Sequence, residues 1–297
     1  MYNIAIIYMG ASYEQQLNMI KAQEMLGKIT VIGIGCQNVR AGYIDGYPIY
    51  SVEKVLGMQW DYLLIGGQKE NFSQIKQLLV SVGVDKNKIF SLDIFSLPLF
   101  DFERYVQVID KRITIISNHC WGGYTYHSLK QEFLSPFINM FVTQEDYIFL
   151  LEHFDEYIEE DIIYLKDAYE ANLKRNFPIG VLGESGIKLW FNHYKTFEEA
   201  RQKWQQRKKR INRDALFIEM QTDNEKILER FEALPFKHKI AFVPFETPLK
   251  SAISLNCFSE LEKKGIGNMA NSLASGLTGY YNLLKLLNGE EDFCRLN

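Results

Sequence analysis

The feature that most constrains the fold is the repeated alternation of short apolar runs and helix-like segments in the first third of the chain. Residues 3–8 form an apolar run that leads into a glycine-containing turn, and residues 13–26 then have the apolar spacing of a helix. The alternation continues with predicted strands at residues 29–34, 61–65 and 88–91 and a predicted helix at residues 72–82. Because repeated βαβ units build a parallel sheet covered by helices, this pattern predicts a small Rossmann-like domain.

A second alternation follows a break near Pro98. Strands are predicted at residues 112–116, 137–142, 187–191, 215–220 and 239–243, and helices at residues 144–157, 197–210, 225–234 and 278–287. The predicted fold class is therefore α/β with two α/β domains. The predicted boundaries are residues 1–106 for the Rossmann-like domain and residues 107–297 for the domain that carries the candidate site.

Charge and cysteine content limit the classes of function. With 33 basic and 37 acidic residues, the net charge of −4 argues against nucleic acid as a partner. We predict no membrane insertion, because no apolar run approaches the roughly 18 residues of a membrane span, and no secretory leader is recognised at the first residues. The four cysteines are scattered without a CxxC pair, so we expect reduced thiols, a cytoplasmic location and no metal site.

The first domain begins as nucleotide-binding domains do but lacks their fingerprint. Only Gly10 is present in the first turn, and the second strand ends at Gly33–Gln37 without the acid that would bind a ribose. This domain resembles the small Rossmann-like domains that precede sugar-modifying enzymes of bacterial polysaccharide pathways, through its first strand–turn–helix and residues 42–49 and 61–65. Packing or oligomerisation is favoured over nucleotide binding, an NAD-dependent dehydrogenase is disfavoured, and the cofactor stays unknown.

The first candidate site directly follows the strand predicted at residues 112–116. Ligands of open α/β sheets bind at the carboxyl ends of strands, and this position holds Ser117, Asn118, His119, Cys120, Trp121, Gly122 and Gly123. We predict that Cys120 is catalytic and that the other residues of the segment, apart from His119, bind a ligand, with Asn118 in an oxyanion site. Neighbours on an extended chain point opposite ways, so His127 or His193 is the expected base. The alternative is a buried structural cysteine followed by a tight turn.

The second candidate site lies where the strand predicted at residues 187–191 ends. His193 is predicted to be catalytic and Tyr194 to bind the ligand. The following helix has Thr196 as its N-cap, and at its other end Arg207 and Arg210 are candidate ligands of a phosphate. The alternative is that these basic residues only stabilise the negative end of the helix dipole.

Three segments of the second domain together resemble a known bacterial family. Residues 116–123, residues 193–212 and residues 231–239 are similar to the domain-of-unknown-function family nineteen-nineteen, found among exopolysaccharide and lipopolysaccharide biosynthesis proteins. The resemblance covers the second domain and implies a setting in cell-surface polysaccharide synthesis. It supplies no catalytic residue.

These observations lead to two hypotheses of function. The first is a transferase that acts on a glycan or glycan precursor in bacterial exopolysaccharide biosynthesis and moves an acyl, sugar or phosphate-linked group. Its partner would be a phosphorylated or nucleotide-activated small molecule or a glycan. The second is a non-catalytic module that binds a nucleotide sugar or docks on a partner enzyme, which the missing glycine fingerprint and the lack of a complete triad favour.

Overall fold

The computed structural model describes residues 1–8, 14–37, 42–67, 71–170, 174–255, 279 and 281–293. The chain divides into two units, residues 1–107 with 128–130 and residues 108–127 with 131–297. The predicted α/β class is confirmed by the helices, by the mainly parallel sheet of the first unit and by a parallel sheet in the second unit. Among the helices within the described ranges, none has the length and apolar character needed to cross a bilayer.

The first unit is built on one six-stranded sheet. Its strands are β1 (Tyr2–Tyr8), β2 (Ile29–Cys36), β3 (Gly42–Ile44), β4 (Tyr47–Ser51), β5 (Tyr62–Gly66) and β6 (Ile89–Ser91). The helices that follow them in the chain are α1 (Glu14–Met25), α2 (Val52–Leu56), α3 (Phe72–Ser81) and α4 (Phe102–Asp110), with short 3₁₀ helices at Lys86–Lys88 and Leu92–Ser96. The sheet order is β3-β4-β2-β1-β5-β6, and every pair is parallel except β3 with β4. This is the predicted Rossmann-like arrangement. The predicted turn with Gly10 lies outside the described residues.

The centre of this sheet is apolar on both faces, as expected for parallel strands covered by helices. Ile4 and Ala5 of β1 and Leu63 and Leu64 of β5 are all fully buried. Their near-continuous apolar runs explain why the sequence pattern located these two strands.

Two glycines of β2 allow close packing within the first unit. A Cβ atom at Gly33 would lie 2.9 Å from the ring of Tyr50, and one at Gly35 would lie 2.9 Å from Cδ1 of Ile7 and 3.4 Å from Cα of Val52. Side chains of the same unit therefore fill the space that these glycines leave open.

The second unit contains two sheets. Its strands are β7 (Thr114–Ser117), β8 (Ile162–Glu170), β9 (Arg175–Leu182), β10 (Ile187–Trp190), β11 (Leu216–Gln221), β12 (Lys239–Val243) and β13 (Ala252–Ser254). Its helices are α5 (Trp121–Ser128), α6 (Gln144–Glu152), α7 (Phe154–Tyr157), α8 (Phe197–Lys208), α9 (Glu225–Ala233) and α10 (Leu283–Asn288), with a 3₁₀ helix at Arg213–Ala215. One sheet is parallel with the order β13-β12-β11-β7, and the other is antiparallel with the order β10-β9-β8.

Several predicted elements of the second unit are corrected. The predicted strand at residues 137–142 is a buried irregular segment, because Asn139 has a positive φ of 63° that interrupts an extended run; only Phe141 forms an isolated bridge, with Trp190. The predicted helix at residues 144–157 is divided at His153 into α6 and α7. The β8–β9 hairpin was not predicted, and the first part of the helix predicted at residues 278–287 lies outside the described residues.

Candidate functional site

Cys120 lies in the connection between β7 and α5. The Ser117 hydroxyl at the end of β7 donates to the carbonyl of His119 at 2.8 Å and accepts from the amide of Gly122 at 3.1 Å, which closes the turn. The amide of Tyr124 donates to the carbonyl of Cys120 at 3.0 Å, so Cys120 directly precedes the first turn of α5.

Gly122 permits this tight connection. A Cβ atom at this position would lie 3.1 Å from Oγ of Ser117 and 3.2 Å from Cγ2 of Ile115. Gly122 is buried, and its amide already donates to Ser117. The predicted ligand-binding roles of Ser117 and Gly122 are therefore corrected, because the hydroxyl and the glycine both serve the turn that holds Cys120. Gly123 is half-buried, and a Cβ atom there would meet Ile138 at 3.7 Å.

The second unit brings Cys120 and His193 together, although they are 73 residues apart in the chain. The distance from Sγ of Cys120 to Nε2 of His193 is 3.6 Å. His193 follows the end of β10, where Trp190 is bridged to Phe141. The predicted pair of a thiol and an imidazole from two strand-end segments is thus in hydrogen-bonding contact.

Electrostatics keep this pair uncharged near neutral pH. Burial raises the pKa of the Cys120 thiol, and the carboxylate of Glu219 raises it further. Burial also lowers the pKa of the His193 imidazole, and the positive charge of Arg175 lowers it further. Both shifts favour a neutral thiol beside a neutral imidazole, and a neutral imidazole is able to take the thiol proton.

Asn118 connects the ends of β7 and β11. Its Nδ2 donates to the carbonyl of Gln221 at 3.0 Å, and its Oδ1 accepts from the amide of the same residue at 3.0 Å. The carbonyl of Asn118 also accepts from the amide of Val142 at 2.8 Å. The predicted oxyanion role of the Asn118 side chain is corrected to a positioning role, because both of its polar atoms are already bonded to the main chain.

Glu219 was not predicted and is the most unusual residue of the site. It pairs with Ser117 across β11 and β7 and has no exposed surface. Its Oε2 lies 3.4 Å from Nδ1 of His119, yet both carboxylate oxygens and both ring nitrogens are buried without a hydrogen-bond partner among the described residues. Burial raises the pKa of Glu219, and the neighbouring imidazole acts against that rise. A single acid within the apolar strand Leu216–Gln221 is the sequence signal that would have found it.

A cavity of about 300 Å³ opens at the carboxyl ends of the parallel strands β7, β11 and β12. This is the edge of an open α/β sheet where ligands bind. Its polar lining includes Asn118, His119 and Gln221, and its apolar lining includes Phe141 and Phe242. The volume is at the lower end of the range for small-molecule sites.

The side chain of Trp121 packs in the protein core and is not available to a ligand. Its indole is fully buried, stacks on Phe217 with ring centroids 5.8 Å apart, and donates from Nε1 to the hydroxyl of Tyr281 at 3.2 Å. The predicted ligand contact of Trp121 is therefore corrected, since the side chain has no surface to offer.

The second candidate cluster also serves packing. The buried Tyr194 donates to the carbonyl of Ile138 at 3.0 Å and accepts from the guanidinium of Arg207 at 2.7 Å. Arg207 is only 8% exposed and lies over the ring of Phe133 at 4.9 Å. Arg210 donates to the carbonyl of Phe133 at 3.1 Å and pairs with Glu132 at 3.6 Å. The predicted ligand-binding role of Tyr194 and the predicted phosphate role of Arg207 are corrected, because these buried groups are engaged within the unit. Arg210 is partly exposed, and its predicted phosphate role stays a prediction.

No group of three or more His, Cys, Asp or Glu side chains within the described ranges is arranged to hold a metal ion. Cys36 and Cys120 are free thiols. Cys257 and Cys294 lie outside the described residues.

These features define a class of α/β proteins. The first unit is Rossmann-like, and the second unit has a thiol–imidazole pair formed by residues that follow the ends of two strands. The chain belongs to the family described as domain of unknown function (DUF1919), which matches residues 93–288. The resemblance predicted from the sequence is thereby confirmed. Residues 1–90 match a second family, described as C2185-like, N-terminal. A Haemophilus influenzae protein described as an uncharacterized protein is 31% identical over 164 residues, which are 54% of this chain and 75% of that relative.

Proposed function

We propose that this chain is a cysteine-dependent acyltransferase that acts on a glycan or glycan precursor in bacterial exopolysaccharide biosynthesis. The observation that carries the proposal is the 3.6 Å contact between Sγ of Cys120 and Nε2 of His193 at the start of α5. The glycan setting rests on the resemblance of the motifs in the second unit to proteins of polysaccharide synthesis. Acyl transfer is favoured over phosphate-linked transfer, because Arg207 is buried and donates to Tyr194 within the unit.

The proposed chemistry has a covalent intermediate. The donor is an activated acyl ester or thioester, and His193 takes the thiol proton as Sγ of Cys120 attacks the acyl carbon. The bond between the acyl carbon and the leaving group breaks, and the leaving group receives the proton from His193. The acyl group stays on Cys120 as a thioester until an acceptor hydroxyl attacks the acyl carbon. The bond from that carbon to Sγ then breaks, an ester is released, and the hydroxyl proton passes through His193 to the Cys120 thiolate.

The electrostatics of the pair support a general-base role for His193. The raised pKa of Cys120 means that little thiolate is present at rest, so a nearby base is needed for attack. The lowered pKa of His193 keeps its imidazole free to accept that proton. General bases of this kind contribute about 10²–10⁴-fold to rate.

The second candidate function is a non-catalytic binding module. Its support is the cavity at the strand ends. Two of its lining residues, His119 and Gln221, have buried polar atoms without a hydrogen-bond partner among the described residues, namely both ring nitrogens of His119 and Nε2 of Gln221. Such atoms suit the recognition of a ligand whether or not chemistry follows.

The proposal is tested with the full chain and p-nitrophenyl acetate as acyl donor. We expect a burst of one p-nitrophenol per chain and an acetyl group on Cys120 in peptide mass spectra. Cys120→Ala should remove both, and His193→Ala should slow acylation by about 10²–10⁴-fold. Cys36→Ala, at the other described free thiol, is the matched control and should behave as the wild type. A burst of unchanged size in Cys120→Ala would refute the assignment, and the absence of acylation in the wild type would favour the binding module.

A further inference from the structure

The residues on both sides of His193 are fixed to the rest of the second unit. His193 itself is exposed, so packing alone does not hold its ring against Cys120. The next residue, Tyr194, is buried and hydrogen-bonded within the unit. The preceding residue, Asn192, accepts at its carbonyl a hydrogen bond of 2.7 Å from Nη2 of Arg175. The position of the imidazole therefore depends on two anchors in the turn that follows β10.

Strand β9 supports this turn at two points, and Arg175 supplies one of them. The amide of Phe191 donates to the carbonyl of Pro178 in β9 at 3.0 Å. Arg175, at the start of the same strand, is half-buried, and its Nε is buried as well. Its guanidinium is therefore held close to the backbone of the turn. Loss of this group would release the residue directly before His193, while the contact of Phe191 with β9 would remain.

The same contact places a permanent positive charge near the imidazole. A guanidinium keeps its charge at every pH at which proteins are folded, so it opposes the addition of a proton to His193. Burial lowers the pKa of His193, and the charge of Arg175 lowers it further. The thiol of Cys120, which touches the ring, is itself kept neutral by its raised pKa. The carboxylate of Glu219, which would act in the opposite direction on an imidazole, pairs with His119 instead.

We propose that Arg175 is a positioning residue of the Cys120–His193 site, which holds the turn that carries His193 and keeps the imidazole unprotonated and ready to accept the thiol proton. The inference rests on the proposed acyltransferase function and assigns it a residue that acts through His193. Reacting groups must be held within about 0.5 Å of their productive geometry, so loss of the hydrogen bond to Asn192 should slow acylation. Loss of the charge should raise the pKa of His193, so that the imidazole is protonated, and inactive as a base, up to a higher pH than in the wild type.

Two variants separate the hydrogen bond from the charge. Arg175→Lys keeps the charge but loses the planar fork of the guanidinium, and Arg175→Gln removes the charge. The rate of the p-nitrophenyl acetate burst is measured across pH, and both variants should lower its plateau by up to about 10²-fold. Only Arg175→Gln should also move the midpoint of the acid limb to higher pH, which a merely structural role would not produce. Lys174→Met removes a positive charge from the exposed neighbouring residue; it is the matched control and should keep the plateau and the midpoint of the wild type.

Titration of His193 by nuclear magnetic resonance measures its protonation without turnover. The ring signal is assigned by its absence from spectra of His193→Gln, and its midpoint should be higher in Arg175→Gln than in the wild type and unchanged in Arg175→Lys. If the wild type shows no burst, the acyltransferase function is refuted together with the catalytic purpose of Arg175, while a raised midpoint in Arg175→Gln would still support its control of His193. Equal midpoints in the wild type and in folded Arg175→Gln overturn the inference whatever the burst shows. If Arg175→Gln does not fold, Arg175→Lys decides, because a wild-type plateau or a raised midpoint in that chain also overturns it.

Discussion

Replacement of Arg207 by methionine tests whether this arginine holds the second unit together or binds a phosphate. Methionine keeps an unbranched apolar side chain but removes the guanidinium that donates to the Tyr194 hydroxyl at 2.7 Å and lies over Phe133. A buried hydrogen bond from a charged donor contributes about 1.5–3 kcal/mol, and a cation–π contact contributes about 0.5–2 kcal/mol. Arg207→Met should therefore lower the free energy of unfolding by about 2–5 kcal/mol.

The loss is measured by urea and thermal unfolding of the full chain, followed by near-ultraviolet circular dichroism. For a unit of this size, we expect the melting temperature to fall by roughly 4–20 °C. A double-mutant cycle with Tyr194→Phe isolates the pair, and its coupling energy should lie within about 0.5–3 kcal/mol. Arg201→Met is the matched control, since Arg201 is exposed on the same helix, and it should change stability by no more than about 0.5 kcal/mol.

The opposite pattern would refute this reasoning. If Arg207→Met unfolded like the wild type and the coupling energy to Tyr194 were zero, the hydrogen bond and the cation–π contact would not stabilise the unit. If the same variant also lost binding of a nucleotide sugar in calorimetry, Arg207 would be a phosphate ligand, as the position of this residue at the end of a basic helix first indicated.

Three further predictions concern the connection after β7 and its neighbours. Gly122→Ala should lower the free energy of unfolding by about 1–3 kcal/mol, because its Cβ would approach Oγ of Ser117 to 3.1 Å; an unchanged midpoint in urea would contradict this. Because the pKa of Glu219 is raised by burial, the folded chain holds a proton that the unfolded chain has released, so stability falls as pH rises from the ordinary glutamate pKa toward the raised one. Glu219→Gln should therefore be more stable than the wild type above that window and equal to it below, as followed by urea unfolding across pH, and equal stability at neutral pH would contradict the burial argument. Because burial raises the pKa of Cys120, its alkylation by iodoacetamide should be slower near pH 7 than alkylation of a cysteine in an unstructured peptide, and it should accelerate above the ordinary thiol pKa. Fast alkylation independent of pH would indicate a thiolate–imidazolium pair instead.

The parts of the fold that were predictable are those with a local signal. Strands β1 and β5 are buried on both faces, so their apolar runs mark them without knowledge of the partners. The segments that hold Cys120 and His193 were found in the same way, because each is a polar segment that directly follows an apolar strand, β7 for Cys120 and β10 for His193.

Other elements had no local signal or a misleading one. Strand β8 is exposed over most of its length, so its sequence lacks the strict alternation of a half-buried strand. Residues 137–142 have the composition of a strand, but the positive φ of Asn139 interrupts the extended backbone. The partner of Arg207 was also hidden, since the helical pattern places Arg207 beside the apolar stripe of α8 but cannot show that Tyr194 and Phe133 cover it.

Glu219 makes another contact that the sequence could not show. Its neighbours Phe217, Ile218 and Met220 are fully or almost fully buried, and an apolar side chain at position 219 would avoid the desolvation of a carboxylate. The register of β11 with β7 places Glu219 opposite Ser117, and its Oε2 lies 3.4 Å from Nδ1 of His119, a residue of the cavity lining. A Glu219→Gln chain that is more stable at neutral pH and whose acylation rate at Cys120 differs from that of the wild type would show that this acid lowers stability and acts on the thiol, as expected of a residue that serves the site more than the fold.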